Sequence, residues 1–148
     1  MSPDSAVSSD LVTRIDAFRG RTYPPFEVAV HQEGVAAFAA AVGTTEDPVP
    51  PTYLFGLTIQ AGQSFNVLDD MGVPHAQAVH GEQSFDYHAP VRIGDRLTGR
   101  QRIRDIGVKK DGALIIVQIE TPLSRPDGAP VATLGSTIVI RAAREGAE

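Results

Sequence analysis

The stretch that follows Pro50-Pro51-Thr52 constrains this chain most. Leu54, Thr58, Ala61, Phe65, Leu68 and Met71 recur at helical spacing and mark one stripe. Tyr53, Phe55, Leu57 and Ile59 add apolar side chains on the other faces. A helix that is apolar most of the way round has to be buried. Gly56 and Gly62 each weaken its intrinsic propensity by roughly 1 kcal/mol relative to Ala, so it forms only with packing on several sides. Thr52 is the expected N-cap. Asp69 and Asp70 oppose the macrodipole, so the helix is expected to end just before them.

The wrapping for such a helix lies in the second half of the chain. Apolar runs predict strands over Ala78 to Tyr87, Asp95 to Ile106, Leu114 to Glu120 and Val131 to Arg141. Asp111-Gly112 and Arg125-Pro126-Asp127-Gly128 are tight-turn signals between them. Long strands joined by tight turns predict an antiparallel meander. The predicted class is α+β, a curled antiparallel sheet wrapped around a central apolar helix.

The first half supplies shorter elements. Leu11, Val12, Ile15 and Phe18 predict a short amphipathic helix that Gly20 ends. Phe26 to Val30 reads as a strand. His31 to Val42 reads as a helix with Val35, Phe38, Ala39 and Val42 on one face and Gly43 as its C-cap. Pro48, Pro50 and Pro51 exclude helix between it and the central one. Residues 1–10 are small and polar and are expected to be a loose tail with no signal-peptide pattern. A polar tail is expected at 143–148, leaving a single domain over 11–142, which suits a chain of 148 residues.

Composition narrows the function classes. A net charge of −5 argues against a general nucleic-acid binder. No apolar run approaches the roughly 20 residues of a membrane helix. The absence of cysteine removes disulfides, thiolate metal sites and a cysteine nucleophile, and fits a cytoplasmic protein. Four dispersed histidines without cysteine predict no metal site.

Three stretches carry a family resemblance. Phe26-Glu27-Val28-Ala29-Val30 leading into Val35 to Gly43 is similar to a strand that enters an "fA.A.G" helix. Pro50-Pro51-Thr52-Tyr53 is similar to an "aPPTf" helix start. The run from His80-Gly81-Glu82-Gln83 through Pro90-Val91-Arg92-Ile93-Gly94-Asp95 is similar to an "lHgeq.f.y..Pv..GD" strand and turn, and Gly135 to Arg141 matches a closing strand. In this combination the chain resembles the MaoC-type hydratase/dehydratase family, which has the hot-dog fold, and within it the N-terminal, FAS1-dehydratase-like halves.

That resemblance implies chemistry on 2-enoyl and 3-hydroxyacyl thioesters of coenzyme A or acyl carrier protein, adding or removing water without a cofactor. Catalytic members carry Gly-Asp-x-Asn-Pro-x-His, whose Asp and His give and take the protons, while backbone N–H groups polarise the thioester carbonyl. Here Thr44 follows Gly43 where the family has Asp, no Asn-Pro-x-His follows, and Pro50-Pro51-Thr52 arrives almost at once. Asp47 is the nearest remnant, and the next histidine is His75.

The resemblance therefore implies a non-catalytic half. Such a half is the structural, acyl-thioester-binding subunit of a heterodimer or heterotetramer, in fatty acid or polyketide metabolism, whose catalytic MaoC-type partner supplies the Asp and His. An open sheet edge would pair across such a dimer. Two rivals stand beside it: a self-sufficient homodimeric hydratase, dehydratase or thioesterase, and a non-enzymatic acyl-thioester sensor or scaffold.

Individual residues carry alternatives. His80 and Glu82 lie two apart in a predicted strand and should point the same way. They form either an acid–base pair or a hydrogen-bonded pair that fixes the strand or lines an interface. Asp47, with Glu46, is a further acid–base candidate. Thr52, Tyr53, Phe55, His80 and Gly81 are substrate-binding candidates; Tyr53 and Phe55, with Phe65 and Met71, either line an acyl tunnel or fill the core. Arg100, Arg102 and Arg104 alternate on one strand face near Arg92, Arg96, Lys109 and Lys110. Arg100 and Arg102 are candidates for coenzyme A phosphates or an acidic carrier; the other reading is a solvated outer face. His31 and His88 read as surface residues, Gly94-Asp95 as a turn, and Gly135-Ser136-Thr137 as plain strand.

Overall fold

A computed structural model describes residues 11–141, so the tails expected at 1–10 and 143–148 lie outside the described residues. Strands β5 (Leu114–Ser124) and β6 (Pro130–Arg141) form the spine of a six-stranded sheet, paired antiparallel from Leu114↔Arg141 to Ser124↔Pro130. Alternation along β5 buries Ile115, Val117, Ile119, Thr121 and Leu123 on one face. The predicted turn joins the two: the Gly128 N–H donates to the Arg125 carbonyl at 2.8 Å, with Gly128 at φ +90°. The Asp111-Gly112 turn also forms, with Lys110 and Asp111 taking the positive φ angles.

The expected meander needs correction. β4 (Arg102–Lys109), β5 and β6 do follow one another, but β2 (Ala78–Tyr87) pairs with β6. β3 (Arg96–Gly99) pairs with the far end of β5, and β1 (Phe26–Ala29) pairs with β3. The order is β1-β3-β5-β6-β2, with β4 also on β5. Among the described residues β2 is paired on one side only.

Two predicted elements are broken, and both breaks have visible causes. The central helix divides into α2 (Tyr53–Gln60) and α3 (Asn66–Met71), counting Gln32–Val42 as α1. Gly62 takes φ +79°, and the Gly62 and Gln63 N–H groups cap the last carbonyls of α2. Thr52 makes no side-chain capping bond. Asp69 and Asp70 stay inside α3 because each has a partner: His75 for Asp69, and Arg21 and the Tyr23 hydroxyl for Asp70. Burial, then the Asp70 carboxylate, pushes the Tyr23 phenol above its ordinary pKa.

The predicted strand Asp95 to Ile106 divides at Arg100 and Gln101. The Gln101 carbonyl accepts from the Tyr23 N–H at 3.0 Å, so it turns toward the N-terminal segment. The Gln101 side chain ties the two breaks together: it donates to the Gln63 carbonyl at 3.1 Å and accepts from Asn66 at 3.2 Å.

The sheet curls around α2 and α3, and the core forms two apolar clusters. One joins Leu11, Ile15 and Phe18 to Val67, Leu68 and Met71 and to Ile103, Ile106, Ile115, Val117, Ile119 and Ile140. The other joins Val35 of α1 and Tyr53, Leu54 and Leu57 of α2 to Val28, Leu97, Leu123, Ala132 and Leu134. α1 ends as predicted at Gly43 (φ +80°), though Val42 is exposed.

Candidate functional site

A cavity of about 300 Å³ opens along the seam between the two clusters, walled by α2, by the segment joining α2 to α3, and by the inner face of the sheet. Phe55, Ile59, Phe65 and Leu68 form its helical wall, and Ile119, Leu134 and Ile138 its sheet wall. Its mouth is apolar and open: Ile59, Phe65 and Val79 are 49%, 47% and 47% exposed. Val79 lies on β2, so the mouth adjoins the unpaired edge of that strand.

His80 enters this cavity and Glu82 does not. The register jumps from His80↔Ile138 to Glu82↔Thr137, so Gly81 is the extra residue of a β-bulge. A bulge of one residue reverses the alternation. His80 therefore faces inward beside Phe55, with ring centroids 5.2 Å apart. Glu82 faces outward, where it accepts from the Thr137 hydroxyl at 3.3 Å. This corrects the expectation that the two share a strand face. His80 Nε2 lies 3.0 Å from the Glu82 backbone carbonyl and 3.1 Å from Gln83 Oε1. Both are acceptors, so the proton of the neutral ring sits on Nε2 and the lone pair on Nδ1.

Sequence reading missed a second histidine at the mouth. His75 Nε2 lies 2.8 Å from Asp69 Oδ1, and its ring stacks on Phe65 at 3.8 Å. Phe65 and Asp69 lie four apart on α3, and the left-handed end of that helix at Gly72 turns the chain back so that His75 meets both.

The remaining candidates separate. Tyr53 is core, packed edge-on against Phe38 with centroids 5.5 Å apart, while Phe55 lines the cavity. Phe65 also lines it, and Met71 is core. Thr52 and Asp47 are exposed on the segment before α2, and Gly81 lies in the bulge. That segment is pinned to β2 by the Tyr87 hydroxyl, which donates to the Pro51 carbonyl; burial raises the Tyr87 phenol pKa. Arg102 pairs with Glu120 at 2.5 Å and Arg104 donates to Gln118 at 2.8 Å, both on the outer face, and Arg100 is exposed. The basic side chains are thus not brought to the cavity. His31 is exposed, and His88 contacts the Thr133 hydroxyl at 3.0 Å.

Gly94-Asp95 is a turn, as expected, with Gly94 at φ +98°. Burial alone would raise the Asp95 carboxyl. Hydrogen bonds from Arg125 at 3.0 Å and from the Arg92 N–H at 2.9 Å outweigh it and hold that pKa below its ordinary value. Among the described residues, no three His, Cys, Asp or Glu are placed to hold a metal ion, and no helix is long and apolar enough to cross a membrane.

Residues 31–134 match the model of the FAS1-like dehydratase domain region. The chain belongs to the FAS1-like dehydratase family. It is 33% identical over 147 residues to a UPF0336 protein of Streptomyces avermitilis, covering 88% of this chain and 97% of that one. Two solved structures from Mycobacterium tuberculosis have the same fold. One is the C-terminally truncated HadBC complex, a (3R)-hydroxyacyl-ACP dehydratase (TM-score 0.66, 24% identity, 82% of this chain and 96% of that one). The other is the ChsH1–ChsH2 complex (TM-score 0.66, 16% identity, 95% of each chain). The fold of this FAS1-like dehydratase chain is the hot-dog, with α2 and α3 as the wrapped helix.

Proposed function

We propose that this chain is the structural, acyl-thioester-binding subunit of a heteromeric enoyl-thioester hydratase or 3-hydroxyacyl dehydratase, and that a MaoC-type partner supplies the Asp and His. One observation carries the reading: His80, the imidazole on the β2 wall of the cavity, has no carboxylate beside it, because the Gly81 bulge turns Glu82 to the outer face and leaves the Glu82 carbonyl and Gln83 as its polar neighbours. Hydration needs one group to take a proton while another gives one. The apolar interior suits an acyl chain. The apolar mouth beside the unpaired edge of β2 suits a second subunit, whose edge strand would continue the sheet and cover Ile59, Phe65 and Val79. The heteromeric HadBC and ChsH1–ChsH2 complexes of the same fold support that arrangement. The substrate is a thioester of coenzyme A or of acyl carrier protein, and the setting is the cytoplasm.

The test is the native mass of the complex recovered through a tag on this chain in its own cells. A second chain of similar size carrying Gly-Asp-x-Asn-Pro-x-His supports the reading; a multiple of this chain alone overturns it.

A second reading rests on Asp69 and His75. Their 2.8 Å contact at the mouth is a carboxylate–imidazole pair, so a self-sufficient homodimeric hydratase or thioesterase would use it in place of His80 and Glu82.

A further inference from the structure

We propose that the cavity selects an acyl chain bearing a hydroxyl group beyond its third carbon. This rests on the acyl-thioester reading above and names the substrate class within it.

The argument begins with four interruptions of the core. On β5 the inward series runs Ile115, Val117, Ile119, Thr121, Leu123. On β6 it runs Leu134, Ser136, Ile138, Ile140; from β3 into β4 it runs Leu97, Gly99, Gln101, Ile103. In α2, Thr58 follows Leu54 and Leu57. Four separate elements thus each place one polar side chain at the same level, the seam between the two apolar clusters. Thr58, Gln101 and Thr121, at 7%, 9% and 6% exposure, are the buried polar residues among those described, and all three line this one cavity. An aliphatic residue at any of these positions would have continued the core. A buried polar group costs free energy unless it is hydrogen-bonded, and of these three residues Thr121 is the one without a side-chain bond among those described.

Hydrogen bonding shows what the belt offers. The Thr58 hydroxyl donates to the Phe55 carbonyl at 2.6 Å, and the Ser136 hydroxyl donates to Gln83 Oε1 at 2.6 Å. Gln101 is used by Gln63 and Asn66. Thr58 and Ser136 therefore keep only lone pairs for a ligand, as does His80 at Nδ1. Thr121 differs, since its hydroxyl has no partner among the described residues. Among the described residues no fully enclosed side-chain polar atom is left unpaired, so that hydroxyl opens into the cavity. Beside the Thr121 hydroxyl, the second N–H of the Gln101 amide and the hydroxyl of Ser64 on the exposed rim are also left to donate, so the belt offers acceptors and donors together. A ligand hydroxyl matches both, a keto oxygen matches only the donors, and a methylene matches neither. On the acyl-thioester reading, carbons 2 and 3 must reach the partner's acid–base pair, so the group held here lies further along the chain.

The experiment uses the complex recovered through a tag on this chain and a matched set of ten-carbon acyl-CoA thioesters. The set contains decanoyl-CoA and its hydroxy and keto derivatives at carbons 5 to 9, with Kd read by calorimetry. One hydroxy isomer is expected to bind about tenfold tighter than decanoyl-CoA, with its keto counterpart between them. Thr121→Val is expected to reduce that advantage to about twofold or less without weakening decanoyl-CoA. Thr121→Ser, which keeps the hydroxyl, should keep the preference, and Thr121→Ala repeats the loss if the valine variant does not fold. Equal binding of all isomers overturns the proposal. So does an equal loss for every thioester in Thr121→Val, which would assign Thr121 to the thioester or its pantetheine arm. If decanoyl-CoA itself does not bind, the acyl-thioester reading falls as well.

Discussion

The two apolar clusters and the seam between them obey opposite rules. In the clusters, the inward positions on β4, β5 and β6 are aliphatic, and most of them are close to fully buried. At the seam, the helix breaks at Gly62, the strand breaks at Gln101, and polar side chains replace aliphatic ones. The clusters hold the fold together, while the seam keeps an opening that filled core would have closed. Stability and the proposed binding therefore fall on different residues, and substitutions should separate them.

The largest stability effect is expected inside a cluster. Leu54 is fully buried, and Leu54→Ala should cost about 2–5 kcal/mol through lost contacts and the cavity left behind. Chemical denaturation reads this directly. Gly99→Ala should follow at about 1–3 kcal/mol, because the new Cβ would lie 2.6 Å from both Leu123 Cδ2 and Phe26 Cζ.

Asp95 supplies a pH-dependent contribution at the edge of the second cluster. Its folded pKa is held low, so its stabilisation is complete above the unfolded carboxylate value and is lost as pH falls through the folded one. Asp95→Asn should cost about 1–3 kcal/mol near neutral pH. The gap between variant and wild-type denaturation midpoints should close in acid; a gap that persists there contradicts the assignment.

At the seam the expected stability change is much smaller. Thr121→Val should leave the unfolding midpoint within about 0.5 kcal/mol of wild type, since it removes a hydroxyl that no protein group uses. A loss as large as that of Leu54→Ala would erase the distinction between clusters and seam. Smallest of all, Arg102→Ala on the outer face should cost less than about 1 kcal/mol, because its pair with Glu120 is solvated.

How much of this was legible in the sequence follows the same division. The apolar stretch after Thr52, the turns at Gly43 and Gly128, and the last two strands are each dictated by local signals, namely spacing, left-handed glycines and alternation. The pairing of β2 with β6 was not legible, because register across a sheet is set by packing rather than by either strand alone. The bulge at Gly81 hid in an otherwise regular run, and it reversed the facing of Glu82 relative to His80. The Asp69–His75 contact depends on where α3 ends, at the left-handed Gly72, whereas helical spacing marked only the stripe before it. Resemblance located the family from short motifs around Pro50 and His80, and the missing acid–base segment was visible as an absence after Gly43.

The central claim is that this chain binds the acyl thioester and lacks the means to hydrate it. The most direct measurement is the rate at which the purified chain alone consumes crotonyl-CoA, set beside the rate of the complex recovered from its own cells. The account predicts no turnover above background for the chain alone, and turnover by the complex that survives His75→Ala and His80→Ala. Turnover by the chain alone at enzyme rates, abolished by either substitution, would contradict it.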